Sequence, residues 1–414
     1  MLSRKATESE TEPAYSIAWK SRMSDIDRSA WNALALPLKT PLLEWEWLHL
    51  LEDSGSVRAE TGWLPVHLTV WSGDRLVGAA PLYAKGHSDG EFVFDHAWAH
   101  LAQRLGIRYY PKLVGMSPFS PVVGYRFLID PSADAAQVTR LMVNAIDSFC
   151  YTNKIVGCSF LFVDPEWRAQ MESLGFIAWR HQSYAWKNRG FHSFEDYLAI
   201  FNTNQRRNIR RERRTTERAG ICIKPLTGAE ITQQLFQLMY TYYSRTNAQY
   251  GPWGCKYLTK AFFEGLQHRF RHRLLLMAAF DGPENKLPVG LSFLLTKNDR
   301  LYGRYWGCAK KINHLHFNAC YYSPIEWAIR HGVGLFDPGA GSPHKIRRGF
   351  EAVANHSLHR FYDPSLAQIK LMSGTLDPLG MPLATDVVSG EQEVCRTLVH
   401  PMREDAVQAL LTKA

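Results

Sequence analysis

The chain has 414 residues, of which 46% are hydrophobic and 21% are charged, and its formal net charge is +9. This length allows two domains with cores of their own, and this balance is typical of a folded protein rather than a disordered one. No stretch approaches the roughly 18 uninterrupted apolar residues of a membrane span, so we expect no integral membrane segment.

Three further features argue against a secreted, a disulfide-bonded and a metal-binding protein: the N-terminus, the cysteines and the histidines. Residues 1–13 are polar and lack the apolar core of a secretory signal, which predicts a disordered N-terminus and a cytoplasmic protein. The seven cysteines are odd in number and show no C-x-x-C spacing, which favours reduced thiols over disulfides or zinc. The pairs His96/His100 and His314/His316 lack a third ligand at recognisable spacing, so we predict no metal site.

Hydrophobic periodicity in the first half predicts an alternation of strands and helices. The predicted strands are 15–20, 66–71, 76–84, 92–98, 155–163 and 177–186, and the predicted helices are 25–36, 42–51, 133–151 and 167–174. Residues 106–126 are rich in proline and glycine, which predicts a long irregular loop with a short strand near Tyr109.

The second half repeats this kind of alternation. The predicted helices are 194–201, 204–218, 230–246, 257–270, 316–331 and 404–412, and the predicted strands are 221–226, 274–280, 287–296, 301–306, 333–336 and 356–362. Pro324 lies inside the helix 316–331, so we expect a kink or a break near Ser323.

The two halves share a weak internal repeat. The segments HLTVWSGDRLVGAAPLYAK and LLLMAAFDGPENKLPVGLSFLLTK each contain an apolar strand, a glycine turn, a Val-Gly pair and a second apolar strand. An aromatic strand, a long helix and an apolar strand follow in both halves. This order predicts an α/β protein with mixed α+β sheets, built from two copies of one unit. We predict domains at 14–187 and 188–363 and a C-terminal extension at 364–414.

A basic segment opens the second copy. Residues 204–218 hold seven arginines and two glutamates, an excess of five positive charges. At helical spacing several of these arginines share one face, and guanidinium groups bind phosphates well. The arginines expected to bind phosphate are Arg207, Arg210, Arg211 and Arg214. The alternative is a solvated helix with ion pairs through Glu212 and Glu217.

Residues 301–350 place polar groups at one edge of the predicted sheet. The segment begins with an aromatic strand, which is followed by a polar loop and a helix. A very short strand and a glycine-rich loop come next, and a basic cluster ends the segment. In open α/β sheets this edge, at the carboxyl ends of the strands, is where ligands bind. His316 is a candidate general base by its chemistry alone.

Several motifs of this chain carry a resemblance to a known family. The sequence RRNIRRERR followed by AGI, then VGLSF, GRYWG, HLHFNACYY, FDPGAG, HK and RGF, resembles the FemAB-like group of N-acyltransferases with a double GNAT fold. EWEWL, SGSV and TGW in the first half belong to the same likeness, which covers about residues 44–363. The resemblance implies two tandem GNAT-like domains and acyl transfer to an amine. In the related Fem peptidoglycan ligases the donor is aminoacyl-tRNA and the acceptor is a peptidoglycan precursor.

The resemblance also implies roles for individual residues. Lys345 is similar to the lysine with which Fem-type ligases are suggested to steady the oxyanion, and Asp337 resembles the aspartate that ends their last central strand. The sheet is expected to splay beside 306–309, as GNAT sheets do after their fourth strand. The residues of this region that we assign to substrate binding are Arg304, Trp306, Asn318 and Arg348.

The sequence allows more than one donor and partner. The segment AKKINHLH, residues 309–316, lacks the glycine-rich pyrophosphate loop of enzymes that use coenzyme A, which favours aminoacyl-tRNA over acyl-CoA as the donor. No cofactor is assigned: acyl-CoA and aminoacyl-tRNA are the two candidate acyl donors. We expect a phosphate-bearing donor or acceptor, with tRNA as one candidate. One alternative is a GNAT-derived module that binds RNA or an anionic surface without catalysis. Another is a CoA-dependent acetyltransferase with an atypical loop.

Overall fold

The computed structural model describes residues 15–93, 95–251, 254–282, 284–339 and 343–367. Its strands are β1 (Tyr15–Lys20), β2 (Trp63–Pro65), β3 (His67–Ser72), β4 (Arg75–Ala80), β5 (Leu82–Lys85), β6 (Lys112–Gly115), β7 (Leu128–Ile129), β8 (Gly157–Phe160), β9 (Ile177–Lys187), β10 (Ile221–Thr227), β11 (Leu274–Asp281), β12 (Gly290–Lys297), β13 (Arg300–Cys308), β14 (Leu335–Asp337) and β15 (Glu351–Phe361). Its α-helices are α1 (Arg28–Ala35), α2 (Trp45–Asp53), α3 (His96–Arg104), α4 (Ala135–Thr152), α5 (Pro165–Ser173), α6 (Phe194–Ala199), α7 (Thr203–Arg218), α8 (Gln233–Ala248), α9 (Lys260–Arg269), α10 (Leu315–Phe317) and α11 (Ser323–Arg330). The predicted disordered segment 1–13 and the predicted helix 404–412 lie outside the described residues.

The strands form two sheets with a repeated pairing pattern. A four-stranded sheet has the order β1-β3-β4-β7, and an eleven-stranded sheet has the order β10-β11-β12-β13-β14-β9-β15-β8-β6-β5-β2. In the first half an antiparallel pair, β5–β6, adjoins a parallel pair, β6–β8. In the second half the antiparallel pair β12–β13 adjoins the parallel pair β13–β14 in the same way. The pairings therefore confirm the α/β class and the internal repeat.

The two halves exchange their last strands. Strand β9 of the first half pairs with β14 of the second, with Trp186 opposite Phe336. Strand β15 of the second half pairs with β8 of the first, with Leu358 opposite Phe160. The exchanged strands also pair with each other along the middle of the large sheet. The halves thus share one continuous sheet, and the predicted boundary between 187 and 188 stays a prediction.

Three predicted elements differ from the structure. The strand predicted at 92–98 is wrong, because His96 begins α3, in which Trp98 and Ala102 lie four residues apart and are both buried. The strand predicted at 76–84 is broken at Pro81, which has no N–H to donate to a ladder, and its two parts, β4 and β5, belong to different sheets. The short strand of the irregular loop is β6, which begins at Lys112 rather than near Tyr109.

The irregular helix around Pro324 agrees with the sequence. Pro324 lies in the first turn of α11, where its missing N–H costs little. A π-helical segment, Asn318–Tyr322, precedes it and joins α10 to α11. The expected irregularity is therefore present, and it lies on the N-terminal side of Ser323.

Candidate active site

The candidate site lies where two parallel strands of the second half separate. Strands β13 and β14 pair only over three residues, from Arg300↔Leu335 to Tyr302↔Asp337. Strand β13 continues to Cys308 and stays paired with β12 on its other side. In the part of the chain that the structure describes, no strand pairs with the free edge of β13 beyond Tyr302. The two strands therefore part beyond Tyr302, and we call this parting, beside the predicted segment 306–309, the β13–β14 cleft.

A β-bulge shapes the wall of this cleft. Leu294 pairs with Gly303 and Phe293 pairs with Tyr305, so Arg304 is an extra residue in β13. Such a bulge bends a strand and redirects a side chain. Nη2 of Arg304 lies 3.3 Å from the carbonyl oxygen of Phe119, which belongs to the first half. The first half therefore contributes to the cleft of the second.

Asp337 and Lys345 meet at the end of β14 through Gly339. Oδ1 of Asp337 accepts a hydrogen bond from N of Gly339 at 2.8 Å, and Nζ of Lys345 donates to the carbonyl oxygen of Gly339 at 2.8 Å. Lys345 is only 1% exposed. Burial raises the pKa of Asp337, although Gly339, Arg304 and Lys345 oppose that rise. The site thus combines a buried ammonium group with a carboxylate that binds its proton more tightly than usual.

Lys345 belongs to a 3-10 helix, Pro343–Arg348, that is tied to α7. Nη2 of Arg348 lies 3.1 Å from both carboxylate oxygens of Glu212, and the guanidinium group of Arg348 stacks 3.4 Å from the ring of Phe317. The hydroxyl group of Tyr322 also donates to Glu212. Arg348 therefore holds the segment that carries Lys345 in place. Its guanidinium group makes these contacts within the protein, to Glu212 and Phe317.

Three other predicted residues lie around the helical segment that follows β13. Nδ2 of Asn318 lies 2.8 Å from Oγ1 of Thr216 and 3.0 Å from the carbonyl oxygen of Glu212, so this side chain joins the π-helical segment to α7. The rings of Trp306 and His316 lie 5.7 Å apart. Burial, together with the charges of neighbouring cations, lowers the pKa of His316 to about 4, so its imidazole is neutral near pH 7.

The predicted phosphate-binding arginines lie on the exposed face of α7. Asn202 caps the N-terminus of this helix, because its side chain accepts a hydrogen bond from N of Gln205, and the helix buries Ile209 and Thr216. The four predicted residues, Arg207, Arg210, Arg211 and Arg214, are all exposed. Arg210 pairs with Glu195 at 2.6 Å. Among the described residues, the other three form no ion pair.

An open groove runs between α6 and α7 along this basic face. Its lining includes Arg206, Arg207, Arg210 and Arg214, together with Glu195. Arg304, Asp337 and Lys345 are not part of its lining. The structure therefore separates the predicted site residues into two groups: the β13–β14 cleft and the arginine face of α7.

The sequence profile of the FemAB-like family, described as peptidoglycan biosynthesis/recognition, matches residues 22–371. The chain belongs to the FemAB-like family. No curated protein matches it in sequence. Among the described residues of this FemAB-like chain, no helix is long and apolar enough to cross a membrane.

Solved structures with a similar fold include tandem GNAT proteins. The crystal structure of FemX matches with a TM-score of 0.50 and 10% identity, covering 83% of this FemAB-like chain and 98% of FemX. A tandem GNAT protein from the clavulanic acid biosynthesis pathway matches with a TM-score of 0.43 and 12% identity, covering 85% and 99% of the two chains. L-PGS from Bacillus licheniformis matches with a TM-score of 0.46 and 11% identity, covering 81% and 96%. The family match and the fold shared with FemX confirm the predicted fold of two tandem GNAT-like domains.

The sequence gives no signal for two contributions of the first half to the cleft. Tyr184 of β9 has its ring centre 6.0 Å from Nζ of Lys345. Phe119 supplies the carbonyl oxygen that Arg304 and Tyr305 share. Both residues precede the site by more than 100 positions. In the FemAB-like chain they reach it through the strand exchange and through long-range loop packing, which local patterns do not predict.

Proposed function

We propose that this chain is an N-acyltransferase that moves an acyl or aminoacyl group from an activated donor to an amine, in peptidoglycan metabolism. The observation that carries this proposal is the position of Lys345, a buried cation beside the cleft between β13 and β14. The family's description, peptidoglycan biosynthesis/recognition, supports the metabolic setting.

In the proposed reaction the amine nitrogen attacks the carbonyl carbon of an ester or thioester. The C=O electrons move onto oxygen, and the resulting oxyanion needs a positive group or a hydrogen-bond donor close to it. Lys345 supplies that charge. The oxyanion then collapses, the bond to the leaving oxygen or sulfur breaks, and the new amide remains. The proton lost by the amine balances the charge of the leaving group.

Asp337 is the favoured proton acceptor for the amine. Its pKa is raised by burial, which brings a carboxylate closer to the operating range of a general base. His316 is the alternative, but its pKa of about 4 makes it a weak base near pH 7. Its ring also packs between aromatic neighbours, with its centre 5.4 Å from that of Tyr321.

The arginine face of α7 is proposed to bind phosphate groups of the donor or the acceptor. Arg207, Arg211 and Arg214 are exposed and, among the described residues, free of ion pairs. This charge suits the backbone of an aminoacyl-tRNA donor. The segment after β13 supports the same choice over acyl-CoA, because α10 has only three residues and runs directly into the π-helical segment.

Turnover with candidate donors tests this proposal. The purified protein is given aminoacyl-tRNA or acyl-CoA together with a peptidoglycan precursor, and amide formation is followed by mass spectrometry. We expect an amide product from aminoacyl-tRNA, and we expect Lys345→Met to slow its formation by about 10²–10³-fold. Unchanged turnover in that variant would remove the oxyanion role. An amide product with acyl-CoA but not with aminoacyl-tRNA would establish the CoA-dependent alternative.

The second candidate function is a binding module without catalysis. The arginine groove is separate from the β13–β14 cleft, so α7 can hold RNA or an anionic surface by itself. This candidate predicts salt-sensitive binding and no acyl product with any donor.

A further inference from the structure

One carboxylate lies within the basic groove between α6 and α7. Glu195 of α6 lines this groove together with Arg206, Arg207, Arg210 and Arg214 of α7. Its Oε2 atom accepts a hydrogen bond from Nη2 of Arg210 at 2.6 Å, so the carboxylate reaches the arginines of the other helix. Among the described residues that line the groove, no other side chain is acidic. A carboxylate repels phosphate, so a groove that bound phosphate groups alone would be weakened by Glu195.

The arginines of the groove form a row along α7. Arg206, Arg210 and Arg214 are spaced four residues apart, so they lie on one face of the helix at steps of about 6 Å along its axis. Arg206 and Arg214 are therefore separated by about 12 Å along the axis, with Arg210 between them. Because Glu195 pairs with Arg210, a ligand that follows this row meets cations at both ends and a carboxylate in the middle.

The lining of the groove favours contacts to a nucleic-acid backbone over contacts to bases. Among the described residues that line it, none is aromatic, whereas proteins that hold the bases of a single strand stack them on aromatic rings. From α6 the lining includes Leu198 and Ala199, which offer no side-chain donor or acceptor. The groove has a volume of about 440 Å³, which is in the range of small-ligand sites, so a short stretch of one strand fits.

We infer that this groove selects RNA by its sugar: Glu195 accepts a hydrogen bond from a ribose 2′-hydroxyl group, while Arg206 and Arg214 bind phosphates on either side. This inference rests on the proposed function, because it names what the α7 site recognises in a donor that carries RNA. In an RNA strand a neutral sugar with a hydroxyl donor separates successive phosphates, and this hydroxyl group is what distinguishes RNA from DNA.

The carboxylate of Glu195 is accessible to such a hydroxyl group. The side chains of Glu195 and Arg210 are 69% and 48% exposed. Exposed ion pairs of this kind are weak, so the carboxylate can share or exchange its partner when a strand binds. A hydroxyl group that donates to a carboxylate forms a charge-assisted hydrogen bond, which is stronger than a neutral one. The middle of the arginine row is therefore suited to a neutral donor rather than to a third phosphate.

Three forms of one oligonucleotide test this inference. The strand contains only adenine and cytosine and is prepared with ribose, with deoxyribose and with 2′-O-methylribose, so that the probes differ only at the 2′ position. The 2′-O-methyl form keeps the oxygen as an acceptor but loses the donor. Binding to the full chain is measured by fluorescence anisotropy at one salt concentration. We expect the wild type to bind the RNA form about tenfold more tightly than either of the other two.

Two glutamate variants separate hydrogen bonding from charge. Glu195→Ala removes the acceptor and one negative charge, so we expect all three strands to bind more tightly and the preference for RNA to fall to within about twofold. Glu217→Ala is the matched control, because it removes the same charge from an exposed position of α7 that is not part of the groove lining. It should keep the preference. The cap of α6 is formed by Ser193 and Asp196, so Glu195→Ala leaves it intact.

A double variant locates the strand in the groove. Changing Arg206 and Arg214 together to Gln should weaken the binding of all three strands, because two phosphate contacts are lost. Unchanged affinity in this variant would overturn the inference. Equal binding of the three strands by the wild type would also overturn it, as would a preference that survives Glu195→Ala or that is lost equally in Glu217→Ala. Displacement of the RNA by phosphatidylserine vesicles at equal phosphate concentration would show that the arginines bind a lipid surface instead.

The outcome is distinguishable from failure of the proposed function. If aminoacyl-tRNA yields an amide but the wild type binds the three strands equally, the acyltransferase proposal stands and the inference about Glu195 fails. If the RNA preference depends on Glu195 but no donor yields an amide, the groove binds RNA and the acyltransferase proposal fails.

Discussion

Glu212 of α7 and Arg348 of the 3-10 helix form a bifurcated contact, in which Nη2 of Arg348 lies 3.1 Å from each carboxylate oxygen. Their side chains are 14% and 7% exposed. The same glutamate accepts from the hydroxyl group of Tyr322. One carboxylate thus connects the arginine helix, the segment after β13 and the segment that carries Lys345.

We expect Glu212→Gln to destabilise the protein by about 2–4 kcal/mol, because it leaves the guanidinium group of Arg348 buried without its counter-charge. Urea unfolding gives this free energy directly. Glu217→Gln is the matched control on the exposed side of α7, where a change within about 0.5 kcal/mol is expected. A similar small change for Glu212→Gln would mean that the ion pair does not hold the two helices together.

The pKa of Asp337 predicts how stability depends on pH. Because burial raises this pKa, the folded protein binds the proton more tightly than the unfolded chain does. The resulting stabilisation is complete below the unfolded pKa of about 3.9 and is lost as the pH rises through the folded value. At neutral pH the ionised carboxylate therefore costs stability.

Asp337→Asn should remove that cost while its amide oxygen still accepts from N of Gly339. We expect this variant to be more stable than the wild type near pH 8 and equally stable near pH 3, as measured by urea unfolding at both values. Acyl transfer should fall in the same variant if Asp337 accepts the proton of the amine. A variant that is less stable at both pH values would show that the carboxylate is a structural group.

Local patterns in the sequence predict much of the second half. The aromatic residues of β13, the irregular helix around Pro324 and the arginine face of α7 all follow from residue type and spacing. The motif residues Asp337 and Lys345 also come together, through Gly339. These features depend on short stretches of chain, which is why the sequence predicts them.

The remaining features of the site depend on pairings between distant strands. The extra residue in β13 is defined only by its register against β12, so the orientation of Arg304 is not visible in its own sequence. Tyr184 approaches Lys345 because β9 pairs with β14. Sequence periodicity shows which face of a strand is apolar but not which strand lies beside it.

A second buried charge network joins the two halves. Glu44 precedes α2, and its Oε1 lies 2.7 Å from Nζ of Lys297 and 2.8 Å from Nη2 of Arg273, both of the second half. Glu44 and Lys297 are each 1% exposed as side chains. We expect Glu44→Gln to cost about 3–5 kcal/mol in urea unfolding, because two cations lose their counter-charge.

Replacing both members of the buried pair provides the control. Glu44→Leu together with Lys297→Met removes the charges along with their desolvation cost, so we expect much of the lost stability to return. Arg273 keeps 20% of its side chain exposed and can remain hydrated. If the double variant is as unstable as Glu44→Gln, packing rather than charge accounts for the effect.

The arginine face of α7 predicts a specific salt dependence of RNA binding. Arg207 and Arg211 are exposed and, among the described residues, form no ion pair, so each can replace a counterion on a phosphate. For an RNA hairpin that mimics an acceptor stem, the double change to Gln should reduce the slope of log K against log salt by about 1.4–1.8. Fluorescence anisotropy at several salt concentrations measures that slope.

Arg213→Gln is the control and should leave the slope unchanged, because Arg213 forms an ion pair with Glu326 at 2.7 Å. An unchanged slope in the double variant would show that phosphate binds elsewhere, and an equal loss in the control would show that the helix contributes only through the net charge of the protein.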